Sequence, residues 1–387
     1  MTQKKADQTT LNPDGSHGDD AFTAFAIFND NADDAEARLH ALETGVGGVG
    51  QDVSALKLGL HQESQARQQA DTAEALARQQ ADAALDLRVD GLRGRMLGDN
   101  ALINGDFDVW QRGTSFTATA VYGPDRWFIQ QGGVTGQSFA KNALSPGDVN
   151  FPASESNLFV TLTGNSNASG AHQVFEQRVE DCRTFADVPS TLSFRVFNPG
   201  AAGRKIAVEF AQTFGAGGSA TVLGIAPQVF ILAAGLNIIT KTVTLPSIAG
   251  KTAGAGSAAV VAIWTTAGSD FSARTAGLGL QTGSLYFGKM KWEAGTVATP
   301  FARRPPGAEL LLCYRYGEPI GLIADSQGAN YTPYSYKVPK RVVPTLTVLG
   351  SSIAPAVLNA RGSTTWFSMD GRAPTSVASY CFADAEL

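Results

Sequence analysis

Aromatic and ionisable side chains are concentrated in one short part of the chain, residues 104–127. This stretch contains Trp110 and Trp127 together with two arginines and three aspartates. Indole faces stack on pyranose rings, and carboxylate and guanidinium groups bond sugar hydroxyls, so one hypothesis is a sugar-binding site. The alternative is that both tryptophans are core residues and Arg126 is a satisfied buried cation. Trp127 lies in the apolar run 127–129, which favours the core interpretation.

Candidate catalytic groups are few. Glu176, Glu180 and Asp181 form the tightest acidic group in the middle of the chain. On an extended strand Glu176 and Glu180 lie too far apart for the carboxyl pair of a retaining glycosidase, which needs ~5–5.5 Å. We expect one of them to pair with Arg178 or Arg183 instead. Because the sequence also lacks a Gly-x-Ser-x-Gly motif and a Walker-type loop, we predict no catalytic residue, no enzyme activity and no cofactor.

A second aromatic group lies near the C-terminus and supplies the candidate receptor-binding residues: Tyr331, Tyr334, Tyr336, Trp366 and Phe367. Tyrosine offers a large contact area at a low entropy cost, which suits a recognition surface. Tyr334 and Tyr336 share one face of the predicted strand, however, and one face of a half-buried sheet is core. The sequence leaves the recognition and core interpretations open.

The composition excludes several classes of function. The net charge is −5, so the chain has no basic footprint for nucleic acid. The sequence has no run of 18 apolar residues, so no membrane-spanning segment is predicted. The polar N-terminus has no apolar signal-peptide segment. The three cysteines, Cys182, Cys313 and Cys381, are far apart and odd in number, which favours buried thiols. No Cys/His cluster has zinc-ligand spacing, so no metal site is predicted.

A stretch without proline or aromatic residues, 39–96, is expected to form a helical stalk. Its first apolar residues alternate at intervals of three and four, as at the a and d positions of a coiled coil. Residues 66–71 then return eleven positions later as 77–82, which predicts a straight or slightly right-handed helix. The predicted trimerisation seam comprises Leu39, Leu42, Val46, Val49, Val53, Leu56, Leu60, Ala66, Ala70, Ala73, Ala77 and Ala81. Such a narrow seam demands partner chains. Glycines at 45–50 leave open a flexible point or a helix that breaks and restarts.

Beyond residue 98 the helical periodicity stops and strand-like runs begin. Residues 191–197 and 205–210 alternate between apolar and polar, whereas 258–264 is continuously apolar and suits a strand buried on both faces. No helix is long enough for a βαβ unit, so an antiparallel sandwich is expected. A proline-rich connector near 300–306 then leads to a small all-β tip.

One strand prediction depends on strict alternation. If residues 285–293 form a regular strand, Tyr286, Met290 and Trp292 lie on one face and Lys289 and Lys291 on the other.

Several motifs in fixed order resemble those of a family of tailed-phage fibre and appendage proteins. They span roughly residues 100–316 and lie at 104–113, 125–127, 177–181, 292–301, 303–305 and 312–316. The resemblance implies a jelly-roll sandwich similar to carbohydrate-binding modules and a homotrimer on the virion tail. More weakly, residues 21–39 resemble tail-attachment segments. Their apolar cluster, which includes Phe22, Phe25 and Phe28, is expected either to dock on the virion or to form a small helical cap on the coiled coil. The region after 317 follows the family only loosely, at 338–345 and 383–387.

We therefore predict a mainly β chain with an N-terminal coiled coil, an antiparallel β-sandwich and a small C-terminal β domain. The predicted segments are 1–38 for virion attachment, 39–97 for the trimeric stalk, 98–306 for the sandwich and 307–387 for the tip. The predicted protein is a non-enzymatic fibre assembled in the host cytoplasm onto the virion tail. Its partners are a tail or baseplate protein and a host glycan or outer-membrane receptor. A structural collar or whisker fibre and a glycan depolymerase are the alternatives.

Overall fold

In a computed structural model of the protein, the described residues are 15, 21–45, 50–96, 100–324, 332–349, 359–370 and 377–386. The chain divides into two compact units, 1–86 and 87–387. None of the helices in the described ranges combines the length and apolar content needed to cross a bilayer.

Within the described residues before 97, the chain forms two helices, α1 (Ala21–Gly45) and α2 (Gly50–Met96). The exposed surface of α2 carries pairs four residues apart, such as Glu63 with Arg67 at 2.7 Å, which support a solvated helix. The Arg67 guanidinium lies 4.0 Å above the ring of Phe28. In one continuous helix these residues would be about 58 Å apart. The two helices therefore run side by side, and a single heptad seam does not continue from α1 into α2.

The larger unit is built on two six-stranded sheets. In spatial order, the first contains β1 (Ser115–Phe116), β5 (Ser138–Ala143), β6 (Ser156–Leu162), β14 (Gly283–Ala294), β9 (Pro189–Asn198) and β12 (Gly235–Thr244). The second contains β11 (Val222–Ile231), β10 (Lys205–Thr213), β13 (Ala258–Ala267), β8 (His172–Glu180), β3 (Trp127–Gly132) and β2 (Val121–Tyr122). A short ladder pairs β4 (Val134–Thr135) with β7 (Gly164–Asn165).

The two large sheets enclose one hydrophobic core, and their strand ladders are antiparallel, as the sequence predicts. On β9, Leu192, Phe194 and Val196 are buried at alternate positions, which confirms the predicted alternation. Every residue of β13 is buried, because this strand lies between β10 and β8 and is covered on both faces. The prediction of an antiparallel β-sandwich is confirmed.

The sequence predicts that Tyr286 of β14 shares a face with Met290 and Trp292, and this prediction is wrong. Leu285 and Phe287 are fully buried in the core, and so are Met290 and Trp292, although a regular strand would place these two pairs on opposite faces. The register shifts between Gly288 and Lys291, where Lys289 has φ 55°. This bulge adds one residue and reverses the alternation. Tyr286 therefore lies on the outer face, between Phe159 and Phe197.

A short 3-10 turn (Ser269–Phe271) and helix α3 (Ser272–Thr275) lie between β13 and β14 in the chain, and helix α4 (Pro306–Tyr314) follows β14. After α4, the C-terminal region forms two three-stranded sheets. One sheet has the order β15 (Gly317–Ala324), β20 (Val377–Asp384), β17 (Thr345–Leu349). The other has the order β16 (Thr332–Ser335), β19 (Trp366–Asp370), β18 (Asn359–Gly362). Cys182, Cys313 and Cys381 are free and buried, which confirms the prediction of buried thiols.

Candidate functional site

The candidate site is a pocket of about 390 Å³ between two segments that are distant in sequence. One wall is the loop 104–114, which carries the aromatic and acidic cluster. The other wall is residues 301–310, which include the start of α4. Lys141 and Glu155 line it from neighbouring strands and loops. The two walls coincide with two of the motifs that resemble the phage fibre family.

The loop wall is held by a network centred on Asn104, which adopts a left-handed conformation with φ 55°. The Asn104 side chain accepts a hydrogen bond from the Val109 backbone N–H at 3.0 Å and donates to the Val109 carbonyl at 2.8 Å. Asparagine tolerates this conformation and can bond locally, which explains the residue type. A Cβ at Gly105 would lie 2.2 Å from the Met290 carbonyl oxygen, so only glycine fits. The pocket wall is therefore preformed.

The two tryptophans of the cluster have different environments. Trp127 is fully buried, packs against Phe107 and Phe175, and donates its indole N–H to the Asn104 carbonyl at 3.0 Å. Trp110 is only half-buried, stacks on Phe116 and lines the pocket. The core interpretation is confirmed for Trp127. Trp110 belongs both to the edge of the core and to the pocket.

Apart from Lys141, the charged groups that line the pocket form ion pairs with one another or with Lys289. Arg303 binds Asp108 at 3.0 Å and also binds Glu155. Arg304 binds Glu309 at 3.2 Å. Burial raises the pKa of Asp108, the nearby Asp106 charge raises it further, and Arg303 opposes both effects. Lys289, behind the pocket wall, pairs with Asp106 at 3.0 Å. The pocket is therefore polar but close to electrically neutral.

Beside the pocket, Arg126 is buried in a network that the sequence predicted only in part. It forms an ion pair with Glu386, lies 3.4 Å above the ring of Tyr316 and donates to the Arg178 carbonyl at 2.5 Å. Arg112 lies 3.2 Å from the same Glu386 carboxylate. The prediction of a buried cation with partners is confirmed. Its carboxylate partner comes from the far end of the chain.

Asp125 provides a pH-dependent prediction. Burial raises the pKa of Asp125 to about 6, against the lowering effects of Arg112 and Gln111. Between about pH 4 and pH 6 the folded protein therefore retains a proton that the unfolded chain releases, so this group lowers stability as pH rises through that window.

Asp125→Asn removes this titration. We expect the stability of the wild type relative to Asp125→Asn to fall by about 1–3 kcal/mol between pH 4 and pH 7. Urea unfolding of both proteins at each pH measures the difference between their free energies of unfolding. The contributions of the other titrating groups cancel in this difference. A constant difference across the window would contradict the prediction.

The acidic group around β8 is engaged in ion pairs. Glu176 binds Arg178 at 2.8 Å, as expected, and Asp181 binds Arg183 at 3.1 Å, a pair that was not predicted. Glu180 binds Arg315 at 2.8 Å and accepts a hydrogen bond from Tyr316. Burial raises the pKa of Glu180, but these bonds outweigh it and hold the pKa below the ordinary value. Among the described residues, no group of three or more His, Cys, Asp or Glu side chains could hold a metal ion.

The C-terminal aromatic candidates divide between core and surface. Tyr336 is buried with Ile320 and Cys381, and Tyr334 packs against this cluster and donates to Glu318 at 2.7 Å. Trp366 is 43% exposed on β19. Tyr331 and the side chain of Phe367 lie outside the described residues. The role of the five C-terminal aromatic residues in receptor binding stays a prediction. Among those that are described, Trp366 is the best placed for contact.

The predicted seam and docking residues lie on α1 and α2 where they are described. Leu56 and the alanines of the seam are exposed, whereas Leu39 and Leu60 are half-buried. The described part of the structure does not include Val46 and Val49, or the side chains of Leu42, Val53 and Phe22. Phe25 is exposed and Phe28 is half-buried beneath Arg67. Trimerisation and docking stay predictions.

Sequence reasoning singled out the motif 303–305 but did not assign to the site the residues that complete it from a distance. These are Glu155, Arg303, Arg304 and Glu309 in the pocket and Glu386 beside it. The sequence does indicate that such partners are needed, because the arginines of residues 104–127 require carboxylate partners if they are buried. That argument does not identify which carboxylates.

No protein-family model matches the chain, and no curated protein matches it. Among solved structures, the chain is similar to the enzymatically active domain of tailspike protein 4 from bacteriophage CBA120, with 12% identity and a TM-score of 0.30. That match covers 51% of this chain and 21% of the tailspike chain, so this chain spans about a fifth of that relative.

Two carbohydrate-binding modules are also similar in structure. A module described as CBM4 has 18% identity and a TM-score of 0.30, over 50% of this chain and 98% of the module. The CBM22-2 xylan-binding domain from Paenibacillus barcinonensis has 11% identity and a TM-score of 0.31, over 49% of this chain and 98% of the domain. These neighbours have β-sandwich folds.

Proposed function

We propose that the chain is a non-enzymatic, homotrimeric tail fibre or receptor-binding protein of a tailed bacteriophage. Its N-terminal segment docks on the tail or baseplate, α2 trimerises, and the β domains bind a glycan or other receptor on the host surface. The ordered motifs of residues 100–316 support this proposal, because they resemble the phage fibre family across most of the β-sandwich.

One observation carries the trimeric part of the proposal. Residues 61–82 of α2 are exposed on every side in the single chain, including the seam positions Ala66, Ala70, Ala73, Ala77 and Ala81. Most helical stability in proteins comes from packing an apolar face, and this face has no cover within the described chain. Three copies packed along the seam would bury it. Three weak sites on one trimer would then act through avidity.

Competition for adsorption tests the receptor part of the proposal. The purified full-length protein should block adsorption of the phage to its host, because it occupies the receptor. A folded trimer that does not compete would contradict receptor binding and favour the structural collar or whisker fibre. Release of reducing ends from host polysaccharide would contradict the non-enzymatic assignment and favour the depolymerase.

A point substitution tests whether Trp366 contributes to recognition. Because its side chain is 43% exposed, Trp366→Ala should leave the melting temperature nearly unchanged and weaken competition for adsorption. Deleting residues 317–387 is a poorer test, since it also removes Glu386 from the buried Arg126. Equal competition by the wild type and Trp366→Ala would exclude Trp366 as a contact residue.

A further inference from the structure

We propose that the pocket between residues 104–114 and 301–310 binds one neutral pyranose unit of the glycan. This inference rests on the proposed glycan-binding function and assigns a site to it. It takes up the sugar-binding hypothesis for residues 104–127 and differs from the prediction that placed receptor binding at the C-terminal aromatic residues.

The size and the lining of the pocket fit a small polar ligand. A volume of about 390 Å³ lies within the range of small-molecule sites and accommodates a single sugar ring. Trp110, Phe301 and Leu310 contribute apolar surface, while Gln111 and Glu155 contribute polar atoms. A pyranose has this same combination of an apolar C–H face and a hydroxyl edge.

Trp110 is suited to the apolar contact. Its indole N–H is already used by the Phe107 carbonyl, and part of its ring stacks on Phe116 with planes 20° apart. The ring is therefore fixed in position, and it still lines the pocket. A fixed aromatic ring can pack against the C–H face of a sugar without losing conformational entropy on binding.

Gln111 has a buried acceptor without a protein partner. Its amide nitrogen donates to Asp125 at 2.8 Å and to the Gly317 carbonyl at 3.1 Å. Its Oε1 is buried and accepts no hydrogen bond. A buried unsatisfied oxygen is unfavourable, and a ligand hydroxyl in the pocket would satisfy it once the side chain turns towards the pocket.

The charge distribution favours a neutral sugar, because the four carboxylates that line the pocket outnumber its three cations, Lys141, Arg303 and Arg304. Arg303 is neutralised by Asp108 and Glu155, and Arg304 is neutralised by Glu309. A uronate or phosphate would have to compete with these carboxylates for the guanidinium groups. Hydroxyl groups need no such exchange, because paired carboxylate oxygens keep lone pairs that can accept hydrogen bonds.

Saturation-transfer NMR with the full-length protein tests the site. The probes are the methyl glycosides of glucose, galactose, mannose, rhamnose and N-acetylglucosamine, with methyl glucuronoside as the charged comparison. We expect at least one neutral probe to bind with a Kd of about 1 mM, as befits a ligand of this size. The charged comparison should bind more weakly.

Two alanines provide a matched pair of variants. Ala302 and Ala308 are both exposed, but only Ala302 lines the pocket. Ala302→Trp should fill the pocket and weaken binding at least tenfold, whereas Ala308→Trp should bind like the wild type. Binding of no neutral probe, preference for the glucuronoside, or equal binding by both variants would each overturn the proposal.

Adsorption competition by the same proteins separates this inference from the proposed function. If the wild type blocks adsorption but no neutral pyranose binds, the pocket assignment fails and receptor binding stands. If the sugar binds in the pocket but adsorption is not blocked, the receptor assignment fails instead.

Discussion

Replacing Glu386 with alanine should lower the free energy of unfolding of the β unit by about 3–5 kcal/mol, the usual loss when one partner of a buried ion pair is removed. The side chains of Arg126 and Glu386 are 1% and 4% exposed. Without Glu386, the Arg126 guanidinium would stay buried without its carboxylate. The fluorescence of the buried tryptophans during urea unfolding measures this loss.

Two further variants separate the ion pair from other effects near the C-terminus. Asp384 is 38% exposed and lies 3.6 Å from Arg112, so Asp384→Ala should have an effect of less than about 1 kcal/mol. Combining Arg126→Met with Glu386→Met removes both charges and should restore much of the stability. If Glu386→Ala unfolds like the wild type, the C-terminal residues are not anchored on the sandwich.

Replacing Trp127 with alanine should also destabilise the sandwich by about 3–5 kcal/mol, because a buried aromatic residue is lost and a cavity remains. Trp127 is fully buried, and its ring centroid lies 5.0 Å from that of Phe107 and 5.6 Å from that of Phe175. Its hydrogen bond to Asn104 also supports the pocket wall. Thermal unfolding measures the effect.

Trp366→Ala is the matched control, since it removes the same side chain from an exposed position. It should change stability by less than about 1 kcal/mol. A Trp127→Ala protein that keeps its melting temperature but loses host binding would make Trp127 a ligand contact and contradict its assignment to the core.

The sequence predicts those parts of the fold that local patterns determine. The continuously apolar run on β13 predicts burial on both faces, and the alternation on β9 predicts one buried face. Alternation fails on β14 because a single residue, Lys289, adopts a conformation that reverses the order of faces. The one signal in the sequence is Gly288, directly before Lys289, because an isolated glycine inside a strand indicates a bulge.

The pocket and the buried network depend on contacts between distant parts of the chain. Arg304 donates to the Leu102 carbonyl at 3.0 Å, and Arg126 pairs with Glu386. A sequence shows that such arginines need partners, but topology decides which carboxylates come near. The two helices illustrate the same limit, since the glycines between them leave both a continuous and an interrupted helix open.

A charged substitution in the predicted seam of α2 tests whether this seam holds the trimer together. Ala77→Asp would place three carboxylates near the axis, which is unfavourable by several kcal/mol per trimer, about 2 or more for each unpaired charge. Ala75→Asp has the same effect on helix propensity but lies off the predicted seam. Ala77→Asp should therefore dissociate the assembly, and Ala75→Asp should leave it intact.

The mass of the purified wild-type protein in solution tests the trimer directly. Light scattering should give about three times the chain mass of 40.5 kDa at micromolar concentration. A stable species of 40.5 kDa would contradict the trimer, because the exposed seam of α2 would then have no partner chain.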